Sequence, residues 1–309
     1  MSDLFGKSDP AKRLDRWKPK LVLGYNNKMK SFHQLLKENK ILVIPGVFNA
    51  ASALMAKNAG FSALYMSGSG IATGCFGLPD LGVTTLDDVC EEVRRISSVE
   101  ALRATPLLVD ADTGFGNEAE AVKKLEAAGA GGIHLEDQVF PKRCGHRPGK
   151  EVISPDEMVV KIKNAVKAKT NPDFFIIARV DSRNVISFDD ALERAKKYQE
   201  VGADAIFAEA LESKDEYKKF VDNLKIPVLA NMTEFGKTPY ISVYEFETLG
   251  VRMVIFPLTA FRRMMKAVED VYRVLKKEGS QKSFLSHLQT REELYKLLDY
   301  YEKESKVRS

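Results

Sequence analysis

Eight short apolar runs, spaced along residues 41–256 and separated by segments of helical period, leave this chain few folds to choose from. They are ILVIPG (41–46), SALYMS (62–67), TPLLVD (105–110), GGIHLE (131–136), DFFIIAR (173–179), ADAIFAE (203–209), IPVLAN (226–231) and VRMVIF (251–256). Near-continuous hydrophobicity suits strands covered on both faces, and alternation with amphipathic segments makes those strands parallel. The segments 84–98, 117–128 and 187–201 read as helices with Ser, Thr or Asn near their starts and acidic first turns, and Gly129, Gly202 and Gly250 stop three helices. Eight such units that close on themselves give a (β/α)8 TIM-type barrel, predicted here over residues 41–279. Residues 1–40 are then an N-terminal arm and short helix packed on the barrel. A long helix over 259–278 and the stretch SFLSHLQTREELYKLLDYYEKE lead into an additional C-terminal helical segment, 280–309, whose apolar stripe packs on another subunit or on its own barrel.

An open doubly wound sheet competes with the barrel and requires a glycine-rich turn that runs into a helix. GSGIATG (68–74) has suitable glycines but is read as running on into CFGLPDLG rather than into a helix. NMTEFGKT (231–238) ends like a phosphate loop, yet Asn231 replaces its first glycine and Pro239 follows where a helix would start.

Composition narrows the function classes. With 47 basic and 43 acidic residues mixed along most of 309 positions, no strong field for nucleic acid is implied; the basic arm with Lys12, Arg13, Arg16, Lys18 and Lys20 reads as solvated. No apolar run approaches the roughly 18 residues of a membrane span, and the N-terminus lacks the apolar centre of a secretory signal, so the expected location is cytoplasmic. Cys75, Cys90 and Cys144 form neither a disulfide framework nor a zinc pattern.

A barrel gathers its reactive groups at the C-terminal ends of its strands. Seen that way, the runs end in Tyr65 and Ser67, Asp110 and Asp112, Glu136 and Asp137, Arg179 and Asp181, Glu209, and Asn231 and Thr233. Asp110 and Asp112, two apart in extended chain, would point the same way about 7 Å apart. That suits Mg²⁺, which takes one or two carboxylates and completes its shell with water and substrate oxygens. Arg179, in an apolar run, either grips a substrate carboxylate or pairs with Glu209. Ser67 and the N–H groups of Gly68 and Ser69, with Asn231 and Thr233, complete a pocket for a small oxygen-rich anion. Past the fourth run comes KRCGH (142–146), where Lys142, Arg143 and His146 flank Cys144. Neighbouring cations lower a thiol's pKa from about 8.5, so this is either a reactive lid, freed by Gly145 and Gly149, or a reduced cysteine among solvated charges.

The motifs YMSGSG (65–70), GLPDLG (77–82), VDADTGFG (109–116), HLEDQ (134–138), PKRCGHRPGK (141–150), ANMTEFG (230–236) and QTREELY (289–295), in this order, resemble the isocitrate lyase and phosphoenolpyruvate mutase superfamily, and within it the methylisocitrate lyase family. The resemblance implies a homotetramer with exchanged C-terminal helices and dependence on Mg²⁺, for which Mn²⁺ can substitute. It further implies a tricarboxylate substrate, (2S,3R)-2-methylisocitrate, cleaved to pyruvate and succinate in propionate breakdown. Asp110 and Asp112 would match the metal site, with Asp80 and Glu136 acting through water. Ser67, Gly68, Ser69, Gly145, Arg179, Glu209, Asn231, Thr233, Arg262 and Arg291 would line the substrate site. Cys144 would be the proton donor, supported by Lys142 and His146, and Tyr65 the base. ARVDS, RPGK and SGSG depart from the family's usual ART-D, RPNK and SGGG, which bears on substrate size. Isocitrate cleavage, oxaloacetate hydrolysis or decarboxylation, and phosphonopyruvate chemistry compete on the same site. A non-catalytic scaffold or nucleic-acid-binding protein competes from another class and leaves the strand-end set without a purpose.

Overall fold

The structure, a computed structural model, describes residues 29–308. The arm residues Lys12 to Lys20 lie outside it.

Eight parallel strands close into a barrel in chain order. They are β1 (Leu42–Val47), β2 (Leu64–Met66), β3 (Leu107–Asp110), β4 (Gly132–Glu136), β5 (Phe175–Val180), β6 (Ala205–Ala208), β7 (Val228–Asn231) and β8 (Met253–Phe256). All eight begin one or two residues later than the apolar runs. Alternation along each strand splits two cores. Leu42, Ile44, Tyr65, Leu108, Phe175, Ile177, Phe207, Leu229, Met253 and Ile255 fill the barrel interior. Their neighbours, such as Leu64, Val109, Ile176 and Val254, face the surrounding helices.

Helix α1 (Phe32–Glu38), opened by a Ser31–Gln34 capping box, closes the N-terminal end of the barrel with Phe32, Leu35 and Leu36. Arg252, just before β8, ties it down by donating to the carbonyls of Leu36, of Asn39 at 3.0 Å and of Lys40 at 2.7 Å. With one end plugged, the opposite mouth is the place for chemistry.

Around the barrel run α2 (Ala50–Asn58), α3 (Gly68–Phe76), α4 (Leu86–Ser97), α5 (Glu118–Ala128), α6 (Pro155–Ala168), α7 (Phe188–Glu200), α8 (Lys214–Asn223) and α9 (Val243–Leu249). The glycine-rich turn is corrected by α3. Where a loop was expected, GSGIATGCF is helical from Gly68, with Ser67 at its N-cap and left-handed Gly77 ending it. Burial decides this: Gly68, Gly70, Ile71 and Ala72 are covered, and Gly70 stands close to Phe48 and Leu258. Tertiary contact outweighs the low helix propensity of glycine.

Helix α10 (Thr259–Glu278) matches the long helix expected after β8, and α11 (Arg291–Leu297) and α12 (Tyr300–Arg308) follow a 3₁₀ segment. Of α10 only Phe261 is buried, while Met265, Val268, Tyr272 and Leu275 are exposed, as are Leu285, Leu288 and Leu294 beyond it. Among the described residues no helix is long and apolar enough to cross a membrane.

Gly46 shows how tightly β1 and β8 close the barrel. A Cβ there would overlap the Pro257 carbonyl and come within 2.8 Å of the Phe256 oxygen, both backbone groups that cannot swing aside. Gly46→Ala is expected to cost about 1–3 kcal/mol by overpacking, read as a lower urea midpoint at unchanged slope; an unshifted midpoint would contradict the packing.

Candidate active site

The mouth opens on a cavity of about 670 Å³. Tyr65, Ser67, Ser69, Asp80, Asp110, Lys142, Cys144, Gly145, His146, Arg179, Glu209, Asn231, Thr233 and Arg262 line it, so most of the expected residues converge. Gly68, Asp112 and Glu136 stand behind the lining, and Arg291 lies exposed on α11, outside the lining of this cavity.

The two aspartates meet by a different route from the extended D-x-D expected. Strand β3 ends at Asp110, and Asp112 is left-handed at φ 47°, which turns its side chain back. Asp110 Oδ1 accepts from Asp112 N at 3.1 Å and its Oδ2 accepts from Gly68 N at 3.2 Å. Lys142 Nζ sits against them, 2.7 Å from Asp112 Oδ1 and 2.5 Å from Asp80 Oδ1. Burial opposes its charge, but Asp112, Asp110, Glu136 and Asp80 outweigh that and hold Lys142 protonated. Burial likewise opposes charge on Asp110, where His134, Lys142 and Arg179 win and keep it below the carboxylate range. Burial prevails at Asp112, whose carboxyl is pushed up to about 6.

These groups suit a hard divalent cation. The donors are carboxylate oxygens, and an ammonium already occupies a cation's position between Asp80 and Asp112. Among the described residues no three His, Cys, Asp or Glu side chains form a complete cage, so the remaining ligands would come from water and substrate, as Mg²⁺ prefers.

Of its two sequence readings, Arg179 shows the ion pair. From β5 its guanidinium contacts Glu136 of β4 at 3.0 Å, Asp181 at 2.9 Å and Glu209 beyond β6 at 3.5 Å, and it stacks on Phe207. The register pairs Glu136 with Arg179 directly. The arginine also lines the cavity, so it is structurally paired and available to a ligand. Burial pushes the Glu136 carboxyl well above its usual value, with Arg179 and Lys142 opposing.

The cysteine loop folds over the mouth. Its stem is closed by Val139 N donating to the Glu151 carbonyl and Ile153 N to the Asp137 carbonyl, each at 2.9 Å. At its tip, His146 Nδ1 accepts from Lys237 N at 3.0 Å and its Nε2 lies 3.3 Å from Glu209. Gly149 has the left-handed φ of 79° that a freely turning glycine allows. Gly145 is needed for another reason: a Cβ there would overlap Glu209 and Arg179. Cys144 is exposed into the cavity, while Lys142 and His146 are drawn to carboxylates instead of the thiol.

Around this space Glu136 Oε1 and Asn231 Oδ1 are buried with neither a hydrogen bond nor an ion pair. Such groups are normally satisfied, so a pair of them marks a polar ligand's place.

The family model for phosphoenolpyruvate phosphomutase matches residues 32–276. The 2-methylisocitrate lyase of Escherichia coli K12 is 50% identical over 282 residues, covering 90% of this chain and 94% of that one. The chain belongs to the 2-methylisocitrate lyase family. The fold is shared with 2,3-dimethylmalate lyase, with a TM-score of 0.81 and 34% identity over 88% of this chain and 91% of the other. It is also shared with phosphonopyruvate hydrolase, solved with oxalate and Mg²⁺, with a TM-score of 0.75 and 28% identity over 88% and 94%.

Several residues of the site carried no role in the sequence reading. His134 lies inside HLEDQ and meets Tyr65 Oη at 2.9 Å. Asp137, assigned only to a strand end, accepts from Tyr198 Oη at 2.9 Å and Arg194 at 3.2 Å. Arg194 and Tyr198 are four apart on α7, a spacing with no functional signature.

His134 is fully buried, and burial lowers its pKa to about 4. An unfolded histidine titrates near 6.5, so between about 6.5 and 4 the unfolded chain binds the extra proton and stability falls on acidification. The loss from this group is expected to be about 3 kcal/mol, and His134→Gln should flatten the urea-measured stability profile over that interval. Parallel profiles would remove the buried neutral imidazole from the account.

Proposed function

We propose that the chain is a Mg²⁺-dependent carbon–carbon lyase that splits 2-methylisocitrate into pyruvate and succinate, and that it works as a homotetramer exchanging its C-terminal helices. One observation carries the reaction: Cys144 hangs on a docked loop over a carboxylate-lined cavity, in a chain half identical to 2-methylisocitrate lyases over nine tenths of its length. The exposed apolar side of α10 and the segment after it supply the surface for exchange.

Asp110 and Asp112 would hold Mg²⁺, with Asp80 and Glu136 supporting through water; when bound, the ion supplies the positive charge that acidifies the substrate hydroxyl. Ser67, whose hydroxyl makes no cap bond, and the Ser69 N–H of α3 receive a substrate carboxylate, the Gly68 N–H being held by Asp110. Arg179, Arg262, Asn231 and Thr233 hold the others. Burial and Asp110 raise the Tyr65 phenol well above its usual value, so it stays protonated at rest. It takes the hydroxyl proton as the phenolate, which the ion's positive charge would favour when bound, and its Oη stands 2.9 Å from His134 Nε2. The C2–C3 bond then breaks, its electron pair passing to C3 and the adjoining carboxylate, while C2 becomes the ketone of pyruvate. Arg179 and the loop stabilise that charge, and the Cys144 S–H gives its proton to C3 to complete succinate.

With Mg²⁺, the protein is expected to release pyruvate from 2-methylisocitrate, followed by coupled lactate dehydrogenase, faster than glyoxylate from isocitrate; the reverse order would reassign the substrate. Cys144→Ser should keep the fold and lower turnover by about 10³-fold or more, general acid catalysis typically supplying about 10²–10⁴. Chelator should abolish activity and Mg²⁺ restore it, whereas activity indifferent to chelator would dismiss the metal site.

A further inference from the structure

Gln138, next after the acids of β4, is buried and spends its whole amide on two neighbours. Its Nε2 donates to the Arg143 carbonyl at 2.9 Å and to Asp181 Oδ1 at 3.1 Å, and its Oε1 accepts from Arg143 N at 3.0 Å. The backbone of Arg143 is thus gripped through both donor and acceptor, one residue before Cys144. Asp181 in turn accepts from Arg179 Nε at 2.9 Å and Nη2 at 3.1 Å, and from Lys150 Nζ at 3.0 Å. Lys150 closes the far end of the loop. Both ends of the cysteine loop therefore fasten to the one carboxylate that also orients the arginine facing the cavity.

Ordering the loop does not require this clasp. The stem bonds at Val139 and Ile153 close its base, His146 docks its tip, and Arg147 N donates to the Cys144 carbonyl at 2.9 Å. The amide offers two donors and an acceptor together at position 138; an ionised carboxylate would lose the donors and stand against Asp181, and asparagine is one methylene short. Neither Gln138 nor Asp181 lines the cavity, so neither touches the ligand.

We propose that Gln138 and Asp181 form a positioning relay that fixes the Cys144 loop in register with the Arg179 guanidinium, so that the proton-donating thiol and the carboxylate grip are placed as one unit. The proposal rests on the lyase reading above. Proton delivery to carbon demands such registration, since a misplacement of about 1 Å can cost about 10²-fold in rate.

The test compares wild type, Gln138→Leu, Gln138→Glu, Asp181→Asn and the Gln138→Leu/Asp181→Asn double variant. Steady-state kinetics are paired with iodoacetamide labelling of Cys144, resolved from Cys75 and Cys90 by peptide mass spectrometry. Gln138→Leu should lower kcat about 10²-fold with KM nearly unchanged and alter the Cys144 labelling rate severalfold. Gln138→Glu should be as impaired at neutral pH and recover relative to wild type toward about pH 5, where a protonated carboxyl donates again. Asp181→Asn keeps an oxygen for Gln138 and loses the acceptor for Arg179 Nε, so its effect and that of Gln138→Leu should combine non-additively.

Unchanged kcat and labelling in Gln138→Leu, or additive effects in the double variant, would overturn the relay. If Gln138→Leu does not fold, the Gln138→Glu profile decides: recovery at low pH supports the relay and a profile parallel to wild type overturns it. Labelling reads the thiol without turnover. A wild type that releases no pyruvate therefore defeats the lyase reading, while the labelling coupling between positions 138 and 181 still decides the relay.

Discussion

A charged guanidinium buried at the end of β5 is the constraint on which the mouth of this barrel depends. Arg179 cannot sit there unpaired, because an isolated buried charge costs several kcal/mol. Its partners come from three directions: Glu136 from β4, Asp181 just past its own strand and Glu209 just past β6. Each partner then needs its own support, which Lys150 gives Asp181, and Asn231 and His146 give Glu209. Charge compensation for one arginine therefore fixes strand ends, loop and tip together.

The same network leaves a surplus of negative charge. Asp80, Asp110, Asp112, Glu136, Asp181 and Glu209 outnumber Lys142, Lys150 and Arg179 among the groups packed there. Burial pushes up the Glu136 and Asp112 carboxyls, which relieves part of it. A divalent cation held by Asp110 and Asp112 would reverse that sign locally, which would join the acids and an oxygen-rich anion in one scheme.

How much of this the sequence disclosed follows the range of each interaction. Strand ends were legible because period and polarity are local properties: the run FFIIAR announces both β5 and its terminal cation, and the acids of β3 and β4 appear where their runs stop. Long-range contacts left no such trace. The helix from Gly68 forms because neighbouring elements cover it, Asp112 reaches Asp110 through a left-handed residue, and Asp137 meets Arg194 and Tyr198 across 57 and 61 positions. KRCGH misled in an instructive way. Adjacency along the chain suggested cations around the thiol, whereas Lys142 and His146 reach past it to Asp80, Asp112 and Glu209.

Substrate choice is set by a weaker force than the one that builds the site. Charged groups favour a carboxylate-rich molecule, but a methyl group gains only from apolar wall, for which Pro79, Leu81, Phe207, Pro257 and Leu258 are the lining available. One such group is worth about 1–3 kcal/mol, or roughly 10- to 200-fold in kcat/KM. The electrostatic frame can therefore be common to lyases of different oxo acids, and small changes in the apolar wall suffice to shift preference among them. The network around Arg179 has to be kept whole, because removing one partner strands a buried charge, whereas a wall residue can change size at modest cost.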